Sequence, residues 1–153
     1  MTIRVWRIVK SRHADEAFSG RGTRRNGGRW TSPGRPVAYC TSSTPLAMLE
    51  LLVHLHGEDL TKRYTLFHAE FEEALVTTVD ASSLPRGWRG TPPPGELQRI
   101  GDEWLQTARS PVLRVPSAVV PTEWNYLLNP LPPDFAKIQL GTRQLIRFDR
   151  RLK

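Results

Sequence analysis

One segment of the chain reads Thr44-Pro45-Leu46-Ala47-Met48-Leu49-Glu50-Leu51-Leu52-Val53-His54-Leu55. Thr44 can cap a helix and Pro45 suits its first position, so the segment is predicted to be helical. After Pro45 only Glu50 and His54 are polar, and apolar side chains on nearly every side of a helix indicate burial. A buried carboxylate is costly unless it is paired, protonated or facing a cavity. Glu50 is therefore either the centre of a functional site or an ordinary buried acid paired with an arginine.

Length and composition limit the class of protein. The chain has 153 residues, of which 39% are hydrophobic, and we expect one domain over residues 1–153. No apolar run approaches the ~20 residues that span a bilayer, and Met1–Lys10 alternates charged and apolar residues, unlike a signal peptide. The single cysteine, Cys40, excludes an internal disulfide framework and is typical of a reducing compartment. We therefore expect a cytoplasmic protein with no membrane partner.

The net charge of +7 is concentrated in the first quarter of the chain. Residues 1–40 hold nine Lys or Arg and two acidic residues, whereas the remainder holds 13 of each sign. Much of the excess lies in the Gly- and Arg-rich segment 21–34, which is predicted to be an irregular loop. Such a loop suits an anionic partner: the phosphates of a nucleotide, a nucleic acid or an acidic protein segment. The alternative is a solvated basic loop.

Alternation of apolar and polar residues predicts about eight short strands. They are predicted at 3–9, 37–41, 63–71, 75–79, 112–115, 118–120, 135–140 and 144–148. Clear helices are predicted at 44–55 and 95–105, the second from an amphipathic spacing. Because strands outnumber helices and do not alternate with them, we expect an α+β fold with a mixed or antiparallel sheet and few helices.

Four residues from separate segments combine into one candidate site: Arg29, Tyr39, Glu50 and Ser117. An arginine can clamp a pyrophosphate, and an aromatic ring can stack on a flat heterocycle. A carboxylate can stabilise the positively charged ribose that forms when a glycosidic bond breaks, while a serine adds a small hydrogen-bonding group. These groups could hold NAD+ and detach its nicotinamide. Each also has an ordinary interpretation: core tyrosine, surface-paired arginine, turn serine.

Metal chemistry is not predicted. His54 and His56 are two residues apart on a helix and point to different sides, and no Cys/His spacing of the zinc type is present. Cys40 is conceivable as a nucleophile, although a lone cysteine in an apolar strand is far more often part of the core.

Six segments, in this order along the chain, resemble the RES-domain toxins of bacterial RES–Xre toxin–antitoxin pairs. They are Trp6-Arg7-Ile8, Gly28-Arg29-Trp30, Gly34–Tyr39, Ala47–Leu55, Val115–Ala118 and Asn125–Pro130. The family takes its name from an Arg, a Glu and a Ser, which match Arg29, Glu50 and Ser117 here. Each segment alone is a weak signal, but the ordered set spans nearly the whole chain.

The resemblance implies a fold like that of ADP-ribosyltransferases, an NAD+ cleft and growth arrest when no antitoxin is present. It implies Glu50, Arg29 and Ser117 as catalytic residues, and Arg29, Tyr39, Ser117 and Asn129 as substrate-binding residues. NAD+ would be the substrate, without a metal. It also implies a cognate Xre-type helix-turn-helix antitoxin that covers the active site, with nucleic acid contacted only through that antitoxin. Thr31 departs from the family pattern, which has Asn after the Arg-Trp pair.

The acceptor of the ADP-ribose is left open by the sequence. Transfer to protein usually needs a second carboxylate near the first, and position 48, two residues before Glu50, is a methionine. We therefore favour NAD+ depletion by hydrolysis or phosphorolysis. The alternative is a mono-ADP-ribosyltransferase that modifies a host protein. An alternative of another class is a basic nucleic-acid-binding module.

Overall fold

The computed structural model describes all 153 residues and contains one eight-stranded sheet. The strands are β1 (Thr2–Lys10), β2 (Ala38–Thr41), β3 (Tyr64–Glu72), β4 (Val76–Thr78), β5 (Val112–Pro116), β6 (Trp124–Leu128), β7 (Gln139–Leu140) and β8 (Gln144–Ile146). Their order is β4-β5-β6-β2-β1-β3-β7, and β8 pairs with β3 outside this path. All pairs are antiparallel except β4–β5, which is parallel. The predicted α+β fold with a mixed sheet is confirmed.

Three α-helices accompany the sheet: α1 (Arg21–Asn26), α2 (Thr44–Leu52) and α3 (Gly95–Thr107). Six short 3-10 segments lie between or after these elements. No helix is both long and apolar enough to cross a membrane.

The alternation of β1 places its side chains in two different parts of the core. Val5 packs with Ala38 and Cys40 on one face of the sheet. Ile8, three residues later and on the other face, packs with Ala47 of α2. Helix α2 therefore lies on the face that bears Ile8, and this placement brings Glu50 over the sheet.

Helix α2 differs from its prediction at its N-cap, at its end and in its burial, since it ends at Leu52 instead of Leu55. Its N-cap is Ser43, not Thr44: the Ser43 side chain accepts a hydrogen bond from the Leu46 backbone amide at 3.2 Å. The helix is not buried on all sides, because Leu49 is 40% and Val53 is 55% exposed. The sheet covers only one side of α2, and apolar periodicity does not reveal whether the other side has a partner.

Three further segments differ from the prediction, and in two of them side-chain hydrogen bonds to the backbone decide the local structure. The predicted loop at 21–34 contains α1, where the Thr23 hydroxyl donates to the Gly20 carbonyl and accepts from the Val37 amide. The predicted strand at 118–120 is a turn, because the amides of Val119 and Val120 donate to Ser117 Oγ instead of to a neighbouring strand. Residues 134–137 are likewise a 3-10 turn rather than part of a strand.

Replacing the observed cap, Ser43→Ala, should lower the free energy of unfolding by about 1 kcal/mol, the usual effect of losing a side-chain N-cap. The matched control is Thr44→Ala, whose hydroxyl makes no hydrogen bond, and it should have little effect. Urea unfolding of both variants is the measurement. A larger destabilisation by Thr44→Ala than by Ser43→Ala would place the cap at the position predicted from the sequence.

Candidate active site

Glu50 is held against the sheet through one of its two carboxylate oxygens. Oε1 accepts hydrogen bonds from Ser117 Oγ at 2.6 Å and from Asn125 Nδ2 at 2.7 Å. Oε2 makes no hydrogen bond within the protein, and the side chain is half-buried. The carboxylate is therefore fixed at one oxygen, and the other is available to a ligand.

Strand pairing brings the two donors together. Val115 of β5 pairs with Asn125 of β6, and the ladder continues when the Ser117 amide donates to the Glu123 carbonyl at 3.0 Å. Ser117 lies two residues beyond Val115, so its side chain lies on the same face as that of Asn125. Asn125 pairs in turn with Thr41 of β2, close to the start of α2. The site is thus built where β5, β6 and β2 run side by side beneath α2.

The hydroxyl of Ser117 has a defined direction. Its oxygen accepts hydrogen bonds from the amides of Val119 at 3.1 Å and Val120 at 3.0 Å. With both of these donors pointing at the oxygen, the single hydroxyl proton is left for Glu50. Ser117 is fully buried, so this arrangement is shielded from water.

Arg29 lies near Glu50 without forming an ion pair with it. Its Nη1 donates to the carbonyls of Trp88 and Gly90, both at 2.9 Å, and its other guanidinium nitrogens have no partner in the protein. Burial lowers the pKa of Arg29, while the charges of Glu50 and then Tyr39 act in the opposite direction. The guanidinium remains charged, and its unpaired N–H groups can bind an anionic ligand beside the carboxylate.

Tyr39 ties the Arg29 segment to strand β2. Its hydroxyl accepts from the Trp30 amide and shares a hydrogen bond with the Thr31 hydroxyl, each at 3.2 Å. Burial is the main cause that raises the pKa of Tyr39. A Cβ at Gly28 would lie 2.6 Å from the Tyr39 hydroxyl oxygen, so this close approach requires glycine. Thr31 stands where the family pattern has Asn. It is fully buried, and its hydroxyl shares the hydrogen bond with the Tyr39 hydroxyl.

Helix α3 holds the same segment from the other side, which the sequence did not predict. A Cβ at Gly101 would lie 1.7 Å from the Trp30 carbonyl oxygen, so the segment packs directly on the α3 backbone. The Asp102 carboxylate accepts from the Ser32 amide at 3.0 Å and from its hydroxyl at 2.6 Å. Gln98 Nε2 donates to two backbone carbonyls of the Arg29 turn. Arg29 therefore projects from a turn fixed on both sides.

Asn129 does not join the cluster. It lies just beyond the opposite end of β6 from Asn125, about 13 Å away at the usual rise of a strand. Its Oδ1 accepts from the Leu131 amide and its Nδ2 contacts Asp134, so it shapes the following turn. The structure brings Asn125 to Glu50 instead. The signal in the sequence was a polar residue at the start of an otherwise apolar strand.

Arg7 and Cys40 lie on the face of the sheet opposite to Glu50 and do not contact Glu50, Ser117 or Asn125. Arg7 donates to the carbonyls of Ala17 and Tyr39, and burial lowers its pKa. It lines a cavity of about 260 Å³ that also contains Arg21 and Arg25 but not Glu50. Cys40 is buried nearby, and burial raises the pKa of its thiol to about 12, which is unsuited to a nucleophile. No group of three or more His, Cys, Asp or Glu side chains could hold a metal ion.

Comparison with known proteins assigns the chain to a family. The RES domain profile matches residues 4–149. A Toxin Res of Yersinia enterocolitica is 38% identical over 150 residues, covering 97% of this chain and 99% of the relative. A Toxin Res of Photorhabdus laumondii is 38% identical over 133 residues, covering 87% and 85%. The Prs ADP-ribosylating toxin of a Sphingobium species is 36% identical over 139 residues, covering 88% and 86%.

The fold has a counterpart among solved structures. The M. tuberculosis MbcT–MbcA toxin–antitoxin complex contains a chain that matches with a TM-score of 0.74, covering 96% of this protein and 85% of that chain. Sequence identity is 20%, so this likeness concerns the fold. Together with the sequence relatives it confirms the resemblance: the chain belongs to the RES-domain family, and the named relatives are toxins.

The contact between α3 and the Arg29 turn should not tolerate a side chain at position 101. Gly101→Ala forces the Trp30 carbonyl away from α3, and overpacking of this kind costs about 1–3 kcal/mol. Gly95→Ala is the matched control on the same helix, because a Cβ there meets nothing within 4 Å. Denaturant unfolding should show a loss for Gly101→Ala and almost none for Gly95→Ala. Equal stability of the two variants would contradict the close packing.

Proposed function

We propose that this protein is the toxin of a toxin–antitoxin pair and that it cleaves the bond between nicotinamide and ribose in NAD+. The observation that carries the proposal is the Glu50 carboxylate, fixed at Oε1 and free at Oε2, beside an arginine with unpaired N–H groups. The family membership and the names of the toxin relatives support it.

The chemistry needs few groups. The C1′–N bond breaks, its electron pair stays on the nicotinamide nitrogen, and nicotinamide leaves as a neutral molecule, so no general acid is required. Positive charge develops on the ribose, where the Glu50 carboxylate stabilises it through Oε2. Arg29 binds the pyrophosphate through its unpaired N–H groups, and Tyr39 holds the turn that carries Arg29. In hydrolysis, water then attacks C1′ and loses a proton. In phosphorolysis, a negatively charged oxygen of phosphate forms the bond to C1′, and no proton needs to be released.

Transfer of ADP-ribose to a protein is the second candidate, and the name of the Sphingobium relative favours it. In this chain Glu50 contacts Ser117 and Asn125 but no second carboxylate that could activate an acceptor side chain. This argues for water or phosphate as the acceptor.

A nucleic-acid-binding function is disfavoured by how the basic residues are used. Three of the nine basic side chains in residues 1–40 are paired with acidic groups of the protein: Arg4 with Glu70, Arg21 with Glu16, and Arg35 with Asp102. Two of these acids, Glu70 and Asp102, lie outside residues 1–40, so they offset part of the excess positive charge of that segment.

Glu50→Gln tests the proposal directly. The substitution removes the charge but keeps an oxygen that accepts hydrogen bonds from Ser117 and Asn125, so the variant should fold. Release of free nicotinamide from NAD+ should fall by about 10²-fold or more, the scale of losing one electrostatic stabiliser. The wild-type protein and the thermal unfolding curve of the variant are the controls. A folded variant with near-normal nicotinamide release would remove Glu50 from the mechanism.

An NAD+-consuming toxin must be silenced in its own cell, and we propose an antitoxin of the Xre helix-turn-helix type that covers the cleft. The exposed apolar pair consists of Leu49 in the last turn of α2 and Val53, the C-cap residue four positions later, and Leu49 directly precedes Glu50. A partner resting on this pair would reach over the carboxylate and could place an acidic group near Arg29.

This arrangement makes inhibition competitive with NAD+. Association should also slow as salt rises past ~0.1 M, where charges are screened beyond about 10 Å. The measurement is the inhibition of nicotinamide release by purified antitoxin at several concentrations of NAD+ and salt. Leu49→Asp should weaken inhibition. Leu145→Asp should not, because Leu145, which is also exposed, lies on the opposite face of the sheet. Inhibition that is insensitive to NAD+ would mean that the antitoxin binds away from the cleft.

A further inference from the structure

The nitrogen and the oxygen of the Asn125 side-chain amide differ in their hydrogen bonding. Nδ2 donates to Glu50 Oε1 at 2.7 Å. Oδ1 is the one fully buried side-chain polar atom in the structure without a hydrogen-bond partner. The residue as a whole is only 8% exposed. Buried amide oxygens are nearly always paired, so this exception needs a physical explanation.

Glu50 needs a hydrogen-bond donor from Asn125, and this need explains why Asn125 Oδ1 has no partner. A carboxylate only accepts hydrogen bonds, so the amide must face it with Nδ2. The reversed amide would bring Oδ1 and Oε1, two acceptors, within 2.7 Å of each other. Asn125 therefore keeps an orientation that leaves its own oxygen unpaired, although unpaired buried groups destabilise the fold. A residue serving the fold alone would be expected to have both ends paired, or to be apolar like Leu127 on the same face.

We infer that Asn125 is a positioning residue, which together with Ser117 fixes the plane of the Glu50 carboxylate so that Oε2 alone meets the ribose. This inference rests on the proposed function. The terminal torsion of a glutamate is broad, so one hydrogen bond leaves the carboxylate free to turn about its last bond. A second donor, held on the adjacent strand by the β5–β6 ladder, removes that freedom.

Asn125→Leu tests the inference, because leucine has a similar volume and no polar atom. The value of kcat should fall by about tenfold or more, whereas KM for NAD+ should stay nearly unchanged, since the carboxylate acts mainly in the transition state. The melting temperature should change little, because removal of the unpaired oxygen offsets the loss of the hydrogen bond to Glu50. A kcat within about twofold of wild type would overturn the inference.

Thr65→Val is the matched control for a lost buried hydrogen bond. Thr65 is buried on β3, and its hydroxyl bonds to Ser11 Oγ at 2.8 Å, away from Glu50. This variant should melt earlier and keep its kcat. If both variants lost kcat only in proportion to the folded fraction, Asn125 would have a structural role alone and the inference would be wrong.

Asn125→Asp keeps the shape but replaces the donor with a second carboxylate facing Glu50, with Arg29 as the nearby cation. Two carboxylates in contact hold one proton between them and separate when it is lost. The rate of nicotinamide release by this variant should therefore decline as pH rises. The wild-type protein should not show this decline. An identical profile for variant and wild type would contradict the inference, because a packing role would not depend on this proton.

Crystal structures of the wild type and Asn125→Leu separate the inference from the proposed function. In the variant the Glu50 carboxylate should turn or occupy two orientations, whereas in the wild type it should occupy one. This outcome would support positioning even if the wild type released no nicotinamide, which would overturn the proposed function alone. The same single orientation in both proteins would overturn the inference.

Discussion

Two hydrogen bonds to a single oxygen of Glu50 connect the helix to the sheet and determine what the site can do. The donors, Ser117 and Asn125, lie on neighbouring strands, and the acceptor lies on a helix that follows a third strand. The arrangement requires the β5–β6 and β2–β6 registers, since a shift of either by one residue would turn a donor to the other face. The Ser43 cap fixes where α2 begins, and so the turn on which Glu50 lies. The two strand registers and the helix cap therefore all determine the position of the Glu50 carboxylate.

The Arg29 turn is the second half of the site, and it is fixed by packing rather than by an ion pair with Glu50. Tyr39 holds it from β2, while Gly101 and Asp102 hold it from α3. A direct Arg29–Glu50 pair would neutralise both groups. Instead, the guanidinium is held by backbone carbonyls, which leave its charge uncompensated. The proposed reaction binds an anion and develops a cation, and it would benefit from two opposite charges that are close but not paired.

The sequence predicted those features that depend on local patterns. The alternation in residues 3–9 predicted β1 and its two faces, and the isolated carboxylate in an apolar helix singled out Glu50. Features set by distant contacts were missed. The exposure of Leu49 and Val53 depends on what lies over α2, and the turn at 118–120 depends on the direction of the Ser117 hydroxyl. Asn125 and Asn129 lie on either side of the apolar residues 126–128, and the strand register shows that it is Asn125 that reaches Glu50.

The most direct measurement of the central claim is a crystal structure of Glu50→Gln with NAD+, in which slow turnover preserves the bound substrate. The account predicts that C1′ of the nicotinamide ribose lies within about 3–3.5 Å of the residue-50 side-chain atom that replaces Oε2, the separation of a reactive pair. The pyrophosphate should contact the unpaired N–H groups of Arg29. NAD+ bound instead in the cavity beside Arg7, on the opposite face of the sheet, would contradict the account.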